Sequence, residues 1–158
     1  MKTTPQTGEA ATYRMAVDSS RTISLGHDGC SAEVFSTPSL ILAMELAAKK
    51  LLHPHLEAKE ESVGVTVDIE HLAPTPKGGS VEARATLVRA EKGQFDFEVS
   101  AQDENHLIGR GKHRRAVVKM EKFLAALPGD NAPRIEAANP SERSGQTVAL
   151  SFKGPVAT

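Results

Sequence analysis

The sequence predicts an α+β fold in which a curved antiparallel sheet of about five strands wraps around one long central helix. Three observations predict it. A long apolar helix follows a short first strand, nearly everything after that helix alternates with period two, and the joints between the alternating segments are mainly short. Short joints imply antiparallel neighbours. A helix that is apolar over most of its circumference must be buried.

Composition sets the outer bounds. The chain has 158 residues, 39% of them apolar and 25% charged, with a formal net charge of −1. That length holds one real core but not two. A charge this close to zero excludes a general polyanion binder, which would show a basic excess, so no nucleic-acid partner is expected. The lone cysteine, Cys30, excludes an intramolecular disulfide and a Cys-based zinc cluster. There is no apolar run of about 18 residues, and MKTTPQTGEAAT lacks the apolar core of a signal peptide. A cytoplasmic protein with no membrane partner is expected.

Residues 1–11 are small and polar and are expected to be frayed. Tyr13 to Val17 reads as a short first strand. Asp18 to Ser36, with Gly26, Gly29 and several Ser and Asp, reads as a long loop with one helical turn near Glu33. Loops of this length commonly serve as lids or binding loops. Next, Thr37 is a good N-cap, and Pro38 suits the first helical position, where its missing N–H is no loss. From Pro38 to Leu52, Leu40, Ile41, Met44, Ala47, Ala48, Leu51 and Leu52 fill one broad arc. Leu42 and Leu46 fall outside that arc, leaving few positions for water. His53-Pro54 ends the helix.

Period-two segments follow. In Ser62 to Leu72, alternation puts Val63, Val65, Val67, Ile69 and His71 on one face. APTPKGG (73–79) is a turn. Ser80 to Arg89 directs Val81, Ala83, Ala85 and Leu87 to one side. Glu91-Lys92-Gly93 is a hairpin signal, and Phe95, Phe97, Val99 and Ala101 continue the pattern. His106 to Glu121 makes a last, basic strand. Residues 1–127 form the expected domain, and 128–158 form a Pro/Gly/Ser-rich extension expected to be largely disordered apart from local pairing at Val148 to Phe152. One helix enclosed by a strongly curved antiparallel sheet is the hotdog arrangement.

Three polar residues stand on these apolar elements at a cost unless they are paired or working: Thr37, Glu45 and His71. Each has two readings. Glu45 is either the i,i+4 partner of Lys49 or a buried carboxylate suited to take a proton from water. His71 is either a satisfied core histidine or a group that orients Glu45 or protonates a leaving group. Thr37 is either a cap alone or a group that positions water, hydrogen-bonds an acyl oxygen or attacks the acyl carbon as a nucleophile. At this helix end, the backbone N–H groups of Ser39 and Leu40 and the helix dipole can polarise a carbonyl. The run RGKHRR (110–115) is either a solvated strand face or a contact for phosphates. Alternation sends Arg110, Lys112 and Arg114 one way and His113 and Arg115 the other. Neither HPH (53–55) nor any carboxylate–histidine set has metal-ligand spacing, and Gly78-Gly79 lacks the context of a phosphate loop.

The runs STPSLILAMELAAKKLLHPHL, GVTVDIEHLAPTPKG and GRGKHRRAVV resemble the fluoroacetyl-CoA thioesterase-like family of hotdog proteins. The resemblance spans roughly residues 12–123. It lies in a Thr followed eight residues later by Glu, a His 26 residues further on in an H-x-x-x-T-P-x-G setting, and G-x-H-x-R-A with Gly111, His113, Arg115 and Ala116. It implies hydrolysis of a small or medium acyl-CoA by Thr37, Glu45 and His71, with Ser39, Leu40, Gly64 and Arg115 at the substrate. It further implies no metal or other cofactor, and a homodimer or larger assembly with acyl-CoA at the subunit interface. Family members acting on fluoroacetyl-CoA carry aromatic residues before the helix. Here that stretch is HDGCSAEV (27–34), with Phe35 the nearest aromatic, so generic acyl-CoA turnover is the implied activity. The competing expectation is a non-catalytic acyl-CoA-binding or assembly module. A hotdog dehydratase would pair Asp with a nearby His at the helix, and no such local pair is present.

Overall fold

The computed structural model describes residues 1–127; the extension at 128–158, with the pairing expected at 148–152, lies outside the described residues. Seven strands and two α-helices follow in the order β1 (Ala10–Ala16), β2 (Thr22–His27), β3 (Cys30–Phe35), α1 (Thr37–Leu52), β4 (Glu60–His71), β5 (Ser80–Glu91), β6 (Gln94–Gln102), β7 (Leu107–Lys119) and α2 (Met120–Ala125). A single 3₁₀ turn at His53–His55 closes α1. Five strands form one antiparallel sheet in the order β1-β5-β6-β7-β4, and β2-β3 is a separate hairpin.

The core lies between α1 and the concave face of the sheet. Leu40, Ala43, Met44, Ala47, Ala48, Leu51 and Leu52 meet Val81, Ala83, Ala85 and Leu87 of β5 and Phe95, Phe97, Val99 and Ala101 of β6. The alternation expected in β5 and β6 is therefore present, because each strand has one face on the core and one in water. Alanines on both sides bring the helix axis close to the sheet, and the phenylalanines fill what remains. The charged alternates of β7 point outward as expected, with Arg110 on Glu70 and Arg114 bidentate on Asp96.

Four expectations change. The segment 18–36 is mostly a hairpin, with Glu33 inside β3, and no helical turn forms. Asp28-Gly29 makes its two-residue turn, with φ of 48° and 84°. Asp-Gly is a strong signal for that turn type because both positions need the left-handed region. The cap of α1 is Ser36, whose hydroxyl accepts from the Ser39 N–H, so Thr37 is the first helical residue and Pro38 the second. A bulge between Gly64 and Thr66 breaks the face expected for β4. Val63 opposite Ala116 and Val67 opposite His113 lie on opposite faces, because an extra residue flips the alternation. Finally, α1 is buried on one side only. Ser39, Leu40, Ala43, Met44, Ala47, Ala48, Leu51 and Leu52 are covered, whereas Leu42 is 46% exposed and Ile41, Glu45, Leu46 and Lys49 are partly exposed. No helix among the described residues is long and apolar enough to cross a membrane.

Candidate active site

Two polar clusters flank α1. The first is at its N-terminus. Ser36 accepts from the Ser39 N–H through its hydroxyl (3.3 Å) and from the Leu40 N–H through its carbonyl (3.0 Å). The two N–H groups expected to face a ligand are thus already bonded, and Ser39 and Leu40 are buried. Pro38 has no N–H, so among the described residues Thr37 carries the first-turn N–H without a recorded partner. The Thr37 hydroxyl lies 3.0 Å from Nδ1 of His71, which ends β4 on the helix side of the sheet opposite Gly109. The other imidazole nitrogen, Nε2, is buried with no partner among the described residues. A buried nitrogen left in that state suits a third group brought by a ligand or a second chain.

The second cluster surrounds Glu45. Its carboxylate is 31% exposed and does not pair with Lys49, which reaches Glu61 instead at 3.0 Å. Oε1 lies 3.6 Å from Arg115 Nη1 and 3.7 Å from His113 Nε2. A Cβ at Gly64 would overlap Oε1, so only glycine lets the strand pass the carboxylate this closely. Arg115 is 5% exposed; its Nε donates to Ser62 Oγ at 3.1 Å and its Nη2 to the Ser62 carbonyl at 2.6 Å. Burial lowers its pKa, with Glu45 and Glu61 acting in the opposite sense. The guanidinium still stays charged, since arginine starts far above neutral pH.

The structure brings Thr37 to His71, and Gly64 and Arg115 to Glu45, but it keeps the two groups apart within one chain. Thr37 and Glu45 are eight residues apart on α1, about 12 Å along the axis. Arg115 sits under the carboxylate, on the opposite face of β7 from the outward Arg110, Lys112 and Arg114, which lie across from Glu70, Asp68 and Thr66 of β4. The outward run is a charge-matched solvated surface. His113, Ser62 and the carbonyl of Thr66 complete the Glu45 cluster and are absent from sequence reasoning as site residues. The G-x-H-x-R-A pattern flags His113, and alternation places it beside Arg115. The bulge that turns the Thr66 carbonyl towards His113 leaves no local mark except Gly64.

Comparison with known proteins fits this geometry. The family described as fluoroacetyl-CoA-specific thioesterase matches residues 17–121. The fluoroacetyl-CoA thioesterase of Streptantibioticus cattleyicolor is 39% identical over 95 residues, covering 60% of this chain and 68% of that protein. A solved fluoroacetyl-CoA thioesterase superposes with a TM-score of 0.71 at 33% identity, over 78% of this chain and 95% of that one. A thioesterase superfamily member from Thermus thermophilus superposes at 0.70 with 29% identity, over 79% and 91% of the two chains. These neighbours share the hotdog architecture of one helix cupped by five antiparallel strands.

Proposed function

The chain belongs to the fluoroacetyl-CoA-specific thioesterase family, and from that premise we propose that it hydrolyses a small or medium acyl-CoA to the free acid and CoA at a site shared by two subunits. Acyl-CoA thioester hydrolysis is the family's reaction; the substrate size, the residue roles and the assembly are the proposal. The observation that carries it is the Glu45 carboxylate, part-exposed, pressed against Gly64 and backed by the buried Arg115.

Glu45 either takes a proton from water as that water attacks the thioester carbonyl, or attacks the carbonyl itself to form an anhydride that water then cleaves, releasing the acid and restoring the carboxylate. In both routes the C–S bond breaks and the electron pair leaves on the CoA sulfur, which takes up a proton from solvent or from His71. The Thr37 N–H, at the positive end of α1, faces the developing oxyanion, and such a donor is worth about 2.7–4 kcal/mol. The Thr37 hydroxyl orients the His71 ring. Protein groups and water suffice, with no metal or cofactor.

The 12 Å between Thr37 and Glu45 is the reason for two subunits. Thr37 and His71 of one chain work with Glu45 of the partner subunit. Support comes from β4, a 12-residue edge strand with Val65 and Val67 51% and 41% exposed, and from the uncovered Leu42 of α1. An exposed edge strand with uncovered valines can pair with another chain. The lone Cys30 and a CoA-ester substrate fit the cytoplasm.

The test is thiol release from a panel running from acetyl-CoA to octanoyl-CoA, with wild type and Glu45→Gln. Turnover by wild type and none by a folded Glu45→Gln is the expected outcome. Equal turnover by both would remove Glu45 from the mechanism. No turnover of any ester, despite CoA-ester binding, would favour a binding module. An acyl-enzyme adduct on Glu45 in quenched wild-type samples distinguishes the nucleophile from the base.

A further inference from the structure

We propose that His113 is a positioning residue for thioester hydrolysis, its neutral imidazole fixing the Arg115 guanidinium so that one N–H edge faces Glu45. The proposal rests on Glu45 being the reacting carboxylate. His113 is 3% exposed on the helix side of β7, and its ring packs beside Phe97 with centroids 6.4 Å apart and planes inclined by 28°.

The two ring nitrogens have opposite duties. Nδ1 lies 2.9 Å from the Thr66 carbonyl oxygen. A carbonyl can only accept, so Nδ1 carries the proton. Nε2 lies 3.2 Å from Nη1 of Arg115. A guanidinium can only donate, so Nε2 is a bare lone pair. The neighbours on each side thus select one neutral tautomer, and an imidazolium would set an N–H against an N–H. The 3.7 Å between Nε2 and Glu45 is therefore no ion pair. Burial pushes the His113 pKa below the usual histidine value; the Thr66 bond opposes this, the Arg115 charge reinforces it and Glu45 opposes it, leaving the net shift downward.

The Thr66 carbonyl meets His113 where the Gly64–Thr66 bulge interrupts the β4–β7 register. Bulges commonly re-aim groups beside active sites in this way. Arg115 is then held from every side. Nε and Nη2 are on Ser62, and Nη1 is on His113 with Glu45 3.6 Å beyond. Ser62 fixes one end of the guanidinium plane. His113 fixes the end that faces the chemistry.

Two amide variants separate the nitrogens. In His113→Asn the amide nitrogen replaces Nδ1 and keeps the Thr66 bond, but Arg115 loses its acceptor. In His113→Gln the amide oxygen reaches the place of Nε2 and accepts from Arg115. With the fastest ester of the acetyl- to octanoyl-CoA panel, Asn should lower kcat about 10²-fold at nearly unchanged KM, whereas Gln should lose less than about tenfold. Wild-type kcat in Asn, or equal losses in both variants, would overturn the role of His113. Nitrogen-15 spectra of the wild-type imidazole test the tautomer without any variant. A protonated Nδ1 and bare Nε2 at neutral pH are expected, and a protonated Nε2 would overturn the proposal. Glu45→Gln in the same assay keeps the two claims apart. Full activity there removes Glu45 itself, while an inactive Glu45→Gln beside a fully active His113→Asn removes only His113.

Discussion

Gly64 and Thr37 are single residues whose effects on activity separate from their effects on folding. A methyl group at Gly64 would overlap only the end of the Glu45 side chain, which is free to turn away. Gly64→Ala should therefore melt close to wild type while kcat falls about 10²-fold, because the carboxylate proposed to react has moved. A thermal melt run beside the thiol assay checks both halves. Thr37→Val keeps the branched shape and removes the bond to His71. Activity should drop with little loss of stability, since the cap is supplied by Ser36. His113 leaves a signature in stability. Its folded pKa lies below its unfolded value of 6.5, so the unfolded chain binds more protons as pH falls through and below that value. The stabilisation is complete above the unfolded value and is lost as pH drops towards the folded one. Between pH 7 and 5 the urea midpoint of wild type should fall more steeply than that of His113→Gln; parallel slopes would contradict a depressed pKa.

At the scale of elements, helix α1 does two jobs with neighbouring residues. Ser36 satisfies the Ser39 and Leu40 N–H groups of the first turn, and the Thr37 N–H is the one proposed to face the oxyanion. Ser36→Ala should cost about 1 kcal/mol of stability, read as a lower denaturant midpoint, whereas Ser36→Asp should restore most of it. Strands β5 and β6 were legible residue by residue because one face of each is buried and the other wet. The β2-β3 hairpin was less so. It has water on most of its surface, with Ile23 and Leu25 about half exposed, so no alternation of burial marks it, and only Asp28-Gly29 signals the turn. Strand β4 misleads period-two reading for a different reason. Its valines alternate without a break in sequence, but the bulge at Gly64–Thr66 is required by what lies across from it. The Glu45 carboxylate presses on Gly64, and the Thr66 carbonyl bonds His113. Neither partner is near β4 in the chain.

For the whole molecule, the proposed site requires two copies of the chain. If Thr37–His71 and Glu45 act across a subunit interface, Glu45→Gln and His71→Asn homodimers should each be inactive. Mixed dimers should then recover about a quarter of wild-type activity, since half the dimers carry one intact site. No recovery after verified subunit exchange would place all three residues in one chain's site. A charge on the β4 edge, as in Val67→Lys, should yield monomers and lose activity together, by sedimentation and thiol release. The sequence by itself determined the one-helix, curved-sheet architecture, the inward face of β5 and β6, and the identity of the polar residues on α1 and β4. These follow from local periodicity and from the cost of placing polar groups on apolar elements. Only the tertiary structure decided which of those residues meet. Thr37 joins His71 while Glu45 joins Gly64, Arg115 and His113, because contacts across a sheet and a helix are set by register, a bulge and packing distance, and none of these is written in the spacing of residues along the chain.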